Sequence, residues 1–195
     1  MIRLCFIFLF LLQFSVLSFA QIDTSCKSKA GVYLNSVAFD SNTFTDSICL
    51  NNKMDRITMG NNSIIKLYSK KNGQKRYEPG DIFGYSDGTN KYRFFYDDKN
   101  EGGPFGYFKL EEINGLLIYS QWALHGGTSY FYSKDLDSPI KELLKKNLDR
   151  DFPNEDFSRE VLSLKNLNKN KEAVTKLKAI YLKYYSTNKL SPGKQ

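Results

Sequence analysis

The sequence predicts an α+β protein: an antiparallel β-meander, curved or closed part-way to a barrel, followed by two or three C-terminal helices. Two observations predict it. Between residues 31 and 134, short aromatic and β-branched runs alternate with turn dipeptides, which is the pattern of strands and hairpins. At Asp137 the spacing of apolar residues changes from that of strands to that of helices.

The first hairpin is read from residues 64–69 and 74–77, which flank Asn72-Gly73. Asn and Gly tolerate the positive φ of a tight turn, so the flanking strands can pair directly. The same device recurs where residues 105–113 meet Asn114-Gly115 and residues 116–121 return. Between these two, residues 81–85 and 92–96 flank a longer turn, Ser86-Asp87-Gly88-Thr89-Asn90, and give a third hairpin. Residues 128–133, centred on Tyr130-Phe131-Tyr132, add a last strand after Gly126-Gly127. Phe83-Gly84-Tyr85 and Phe105-Gly106-Tyr107 look alike, but two copies do not make a repeat protein. A glycine between aromatics in a strand marks a bulge or a close backbone approach.

Past Asp137, Ser138 suits an N-cap and Pro139 the first helical position, with Ile140, Leu143, Leu144 and Leu148 at helical spacing. Asn154 caps a second helix carrying Phe157, Val161, Leu164 and Leu167; Glu155 and Asp156 stand against its positive N-terminal end. A third begins near Asn170, with Val174, Leu177, Tyr181 and Tyr184 on one face and Lys171, Lys176, Lys178 and Lys183 on the remaining arc. The domain division expected is therefore a leader over 1–20, a β-rich domain over 21–137, a helical segment over 138–186 and a flexible tail over 187–195.

The leader is read from Arg3, an apolar run over residues 4–12, and Ser18-Phe19-Ala20 before the cut. Gln13, Ser15 and Ser18 interrupt the run too early for a retained membrane span. Export, to the periplasm or beyond the cell, is the expected localisation, with Gln21 as the first residue of the mature chain. Cys5 leaves with the leader, so Cys26 and Cys49 remain, and two cysteines in an exported chain suggest one disulfide. Two buried free thiols are the competing reading.

The chain of 195 residues carries +7, and its excess is uneven. Residues 21–137 hold fourteen basic and fourteen acidic side chains, residues 138–195 thirteen basic against seven acidic. Lysines on solvated helix faces explain this most simply. The alternative is a basic helical surface for an anionic envelope component or a protein partner; nucleic acid is not an expected partner.

The leader, Gly31-Val32-Tyr33-Leu34, Phe83-Gly84-Tyr85 with Asp87 and Gly88, and Tyr92-Arg93 together resemble a family of small secreted proteins, with no assigned activity, of Bacteroidetes-type bacteria. The resemblance spans roughly residues 31–95. It implies export and a β-rich body, and brings no catalytic residue with it.

Motifs for chemistry are sparse. His125 is the one histidine, so neither a Ser-His or Cys-His nucleophile nor a typical zinc site is expected. Asp149, Asp151 and Glu160 fall at calcium-loop spacing, but Pro153 stands where a ligand is needed and Asn154 where the turn needs Gly. Glu101-Gly102-Gly103-Pro104 precedes a strand, not a helix, and is not a phosphate loop. No catalytic residue, metal or cofactor is assigned. The ligand-binding candidates are Tyr85, Tyr92, Arg93, Trp122 and His125, because an aromatic strand face carrying Tyr92, Phe94 and Tyr96 would suit a sugar or a base. The expected function is a non-enzymatic binding module. The alternative is a carboxylate-dependent hydrolase of envelope glycan, using a pair among Asp87, Glu111 and Glu112.

Overall fold

The computed structural model describes residues 26, 28–51, 53–60, 63–97, 105–112, 115–122 and 126–185, and these form an α+β protein. The leader, the tail over 187–195, the Glu101–Pro104 motif and His125 lie outside the described residues. In chain order the elements are β1 (Lys29–Tyr33), α1 (Ser36–Asp40), β2 (Asp46–Cys49), β3 (Arg56–Met59), β4 (Ile65–Ser69), β5 (Gly73–Tyr77), β6 (Gly84–Ser86) and β7 (Lys91–Tyr96). They continue as β8 (Phe105–Glu112), β9 (Leu117–Trp122), β10 (Thr128–Ser133), β11 (Lys141–Glu142), α2 (Lys145–Asp151), α3 (Glu155–Leu162) and α4 (Lys171–Tyr185).

Eight strands form one open antiparallel sheet in the order β11-β10-β9-β8-β7-β6-β1-β2. The meander runs from β6 to β11, and β1 and β2 extend it beyond β6. The hairpin over residues 64–77 does not belong to this meander. It is β4 and β5 of a separate three-stranded sheet, β3-β4-β5, whose apolar residues Ile65 and Leu67 pack onto Ala30, Val32, Ile48, Tyr85 and Tyr107 of the large sheet. Strand alternation gives the large sheet two faces. One face carries Val32, Tyr85, Tyr92, Tyr107, Ile118 and Tyr130; the other carries Tyr33, Arg93, Phe108, Tyr119 and Phe131.

The first face is covered twice. The small sheet lies over its β1/β2 end. Over its β9/β10 end, Leu148, Phe157, Val161, Val174 and Leu177 of the helices pack on Leu116, Ile118, Tyr130 and Tyr132. Asn154 caps α3 by accepting from Phe157 N at 2.9 Å, and Asn170 Oδ1 accepts from Glu172 N at the start of α4. The backbone of Asn168 accepts from Tyr130 N at 2.8 Å, which fixes the approach to α4 beside β10. The second face is covered by α1 and by the segment carrying Leu136 and Ile140.

Residues 138–144 are not helical, and Lys141–Glu142 within them is a strand. Lys141 pairs with Tyr132 and Glu142 with Phe131 as the edge strand β11, and the first C-terminal helix starts at Lys145. The reason lies in where the apolar side chains are needed. A helix would bring Ile140 and Leu143 to one side. Extended backbone sends them to opposite faces, Ile140 into the core with Phe131 and Leu143 into the core with Tyr130.

Gly84 shows why glycine stands between aromatics here. Phe39 packs across it, and a Cβ would lie 2.9 Å from Phe39 Cε2 and collide with the Tyr92 carbonyl oxygen. Cys26 and Cys49 are joined in a disulfide, which ties the segment before β1 to the end of β2. Closing a loop of this length stabilises the fold by about 3 kcal/mol on the chain-entropy account.

Asp151, at the end of α2, accepts from Lys141 Nζ at 2.6 Å and from Tyr132 Oη at 2.9 Å, so β10, β11 and α2 share one carboxylate. Burial opposes its charge, but the Lys141 and Tyr132 hydrogen bonds outweigh burial and hold its carboxyl below the usual range. A lowered folded pKa contributes stability above the unfolded carboxylate value of about 4, and that contribution disappears as pH falls through the folded value. Asp151→Asn is therefore expected to lower stability by about 2 kcal/mol at neutral pH and to flatten the acid limb of the stability profile. Urea denaturation of both proteins from neutral pH to acid checks this; parallel acid limbs would refute it.

Candidate functional site

The small sheet and α4 cover the first face of the large sheet from opposite ends and leave its middle open. The opening is a cleft of about 640 Å³. That is within the usual range for ligand sites. Its floor is a cross-strand row, Tyr92 opposite Lys109, Lys109 opposite Ser120, and Ser120 opposite Tyr130. At the interstrand spacing the row is roughly 14 Å long. Met59 and Ser63 line one wall; Lys171, Val174, Thr175 and Lys178 of α4 line the other.

The spacing of the α4 residues explains how one helix both docks and lines a cleft. Lys171, Val174, Thr175 and Lys178 form one stripe along the helix. Val174 turns to the core and is buried, while Thr175 stays exposed.

Glu111 sits at a register shift between Leu110 and Glu112, a β-bulge. Bulges re-aim side chains, and this one faces Glu111 into the cleft. Its carboxylate accepts from Ser120 Oγ at 2.6 Å and pairs with Lys109 Nζ at 3.3 Å. Burial opposes its charge but is outweighed by the Ser120 and Lys109 hydrogen bonds and the charges of Lys109 and Lys171, so its carboxyl titrates below the usual range. Among the described lining residues, three lysines stand against this one carboxylate.

The mouth is aromatic and exposed. Trp122 is 73% exposed at the end of β9; Phe105 and Met59, also exposed, line the same cleft, and the exposed Tyr96 lies beside Phe105. Phe105 meets Tyr96 edge-on at 5.6 Å and Phe94 at 5.9 Å. Large exposed apolar side chains grouped in this way mark interaction sites.

Two of the five sequence candidates therefore reach the cleft, Tyr92 and Trp122. Tyr92 donates to Asp87 Oδ2 at 3.1 Å; burial first, then the Asp87 charge, push its hydroxyl up to about 12. Tyr85 lies beneath the small sheet, stacked on Tyr92 at 4.6 Å and 6% exposed, and is a core residue. Arg93 points to the opposite face, 4% exposed, and donates to Tyr119 Oη, Ser133 Oγ and Ser138 O. Tyr92 and Arg93 are neighbours in one strand, so they cannot serve one site. His125 lies outside the described residues.

The carboxylates do not converge. Asp87 accepts from Thr89 N and Asn90 N and closes the β6–β7 turn. The side chain of Glu112 lies outside the described residues. Asp149 and Asp151 are held by Ser158 and by Lys141 and Tyr132, and among the described residues no cluster of His, Cys, Asp or Glu would hold a metal. A second depression of about 690 Å³ contains Lys29 and Lys91, but Lys91 Nζ is spent on Phe39 O at 2.7 Å.

Sequence reasoning missed Lys109, Ser120, Lys171 and Lys178 as a group. The signal for Lys109 was available: it alternates with Tyr107 on the face that Tyr92 faces. Nothing in the sequence joins it to α4. Comparison of the chain with protein-family models, curated proteins and solved structures finds no match.

Proposed function

We propose that the chain is an exported, non-enzymatic binding module whose ligand occupies the cleft between the small sheet and α4. One observation carries this reading: an aromatic mouth and a lysine-rich wall border one cavity built from six elements. The disulfide supports an oxidising compartment. No described helix is long and apolar enough to cross a membrane. Hydrolysis of glycan needs two carboxylates facing the scissile bond. Among the described lining residues Glu111 has no such partner, and it is already neutralised by Lys109.

Trp122 is the one tryptophan of the chain, so its fluorescence reports on the mouth alone. Titration with oligosaccharide pools released from bacterial envelopes is expected to shift its emission to shorter wavelength and to saturate. Thr175→Phe, which fills the cleft from an exposed helical position, is expected to abolish that shift while leaving thermal stability unchanged. The reading fails if no pool shifts the emission or if the filled cleft binds as well as the open one.

A further inference from the structure

We infer that the ligand is an uncharged oligosaccharide bearing N-acetyl groups, its rings on the aromatic mouth and an acetamido group against the open main-chain edge of β3. The inference rests on the binding reading above and names the ligand class for it. Three features of the cleft point there.

The first is that its charges are already matched within the protein. Lys109 and Ser120 hold Glu111, the charge of Lys171 acts on the same carboxylate, and Lys178 has a partner as well. An anionic ligand would have to draw these lysines from their partners, and a cationic one would have to take Glu111 from Lys109 and Ser120. The polar side chains are engaged in the same way. Ser120 Oγ donates to Glu111, Tyr92 Oη to Asp87, Thr175 Oγ1 to Lys171 O and Gln121 Nε2 to Phe105 O.

The second is a donor and an acceptor that the fold leaves over. In an antiparallel pair, residues turn their main-chain groups alternately toward the partner strand and away from it. Gly60 N donates to Ile64 O at 2.8 Å, and Met59 stands opposite Ile65, so Thr58 and Gly60 turn toward β4 while Ile57 and Met59 turn away. β3 is an edge strand, and among the described residues nothing bonds the N–H or the C=O of Met59. This edge faces inward: β3 lies against β1 and β4 against β2, which puts β3 toward the middle of the large sheet, where Met59 lines the cleft. The other side of the small sheet, β5, is guarded by Lys75 and Arg76, as edge strands commonly are.

The third is the apolar surface beside that edge. Trp122, Phe105 and the Met59 side chain are exposed and line the same cleft. Sugar rings present polarised C–H groups to the negative face of an aromatic ring. An acetamido oxygen beside a ring hydroxyl supplies the acceptor and donor that the Met59 N–H and C=O need, and its methyl group adds an apolar contact that a plain hydroxyl lacks. A peptide added as a strand needs a longer run of open main-chain groups. Only Met59 of the outward-turned pair borders the cleft among the described residues.

The test uses the full mature protein with the β-1,4-linked tetramer of N-acetylglucosamine and, as its counterpart without acetamido groups, the β-1,4-linked tetramer of glucose. Trp122 emission is expected to saturate with the acetylated tetramer, with an affinity that does not change as salt is raised. The glucose tetramer is expected to bind about tenfold more weakly or worse. Met59→Pro removes the N–H at an edge position that tolerates proline and should lose about tenfold for the acetylated tetramer, whereas Met59→Leu, which keeps the N–H, should lose little. In the wild-type protein the Met59 amide resonance should move with the acetylated tetramer and stay in place with glucose. Equal binding of the two tetramers, or a Met59 amide that does not move, would overturn the acetamido assignment and leave the binding reading standing. Affinity that falls with salt would overturn the uncharged assignment, and tighter binding of a (Val-Thr)4 peptide would overturn the ligand class. Failure of both tetramers overturns the inference; the envelope pools with Thr175→Phe then decide the binding reading separately.

Discussion

Arg93→Ala is expected to lower stability by about 4 kcal/mol and to leave the ligand affinity of the folded protein unchanged. The guanidinium donates to Ser138 O at 2.9 Å, Tyr119 Oη at 3.2 Å and Ser133 Oγ at 3.3 Å, and so joins β7, β9, β10 and the segment entering β11. It also lies 5.1 Å from the centre of the Phe83 ring and about 6 Å from those of Phe95 and Tyr119. Hydrogen bonds from a charged donor contribute about 1.5–3 kcal/mol, and removing a buried side chain adds a cavity term of similar size. Arg93→Lys should lose nearly as much, because an ammonium cannot reproduce the planar fork or the ring contacts. Chemical denaturation checks both variants; a midpoint equal to wild type for Arg93→Ala would show that the second face does not depend on this residue.

Phe157→Ala is expected to lower stability by roughly 4 kcal/mol and, unlike Arg93→Ala, to weaken the cleft. Phe157 is fully buried where α3 meets the sheet, with ring centroids 5.3 Å from Tyr185, 6.0 Å from Phe152 and 6.2 Å from Tyr184. Two of those rings belong to α4, so the cavity opens beneath the helix that forms the lysine wall. Hydrogen exchange should show faster opening of α4 in the variant while β7 and β8 remain protected. Leu162→Ala, at an exposed position of α3, should change stability by less than about 0.5 kcal/mol. Equal protection of α4 in Phe157→Ala and wild type would refute the coupling.

The two expectations separate what was legible in the sequence from what was not. The hairpin of β8 and β9 was legible because alternation is strong and Gly115 takes the positive φ of 87° that a turn after Asn114 demands. α3 was legible from its cap, since Asn154 bonds Phe157 N as an N-cap should. Strands β2 and β3 were not, because four residues such as Asp46–Cys49 are too few for a periodic signal. The stretch before α2 was misread as helix because Ile140, Leu143 and Leu148 have a helical spacing by coincidence; two of them serve opposite faces of a sheet.

The division into two sheets was not legible either. Alternation tells which side chains share a face, not which sheet covers that face. The candidate site shows the same limit. Trp122, Tyr92, Tyr85 and Arg93 were all chosen by their chemistry; the first two line the cleft, whereas Tyr85 lies under the small sheet and Arg93 on the reverse face. The lysines of α4 were visible as a charge excess, but which of them face Lys109 and Glu111 follows only from how Val174 and Leu177 dock the helix.

The central claim is the place of binding, and residue-resolved amide spectra recorded during titration with the envelope oligosaccharide pools test it most directly. The account predicts that shifts concentrate on Lys109, Ser120, Trp122 including its indole N–H, Lys171 and Thr175, with Lys29, Lys91 and Arg93 unmoved. Shifts centred on the Lys29 and Lys91 depression, with Trp122 and α4 unchanged, would contradict it.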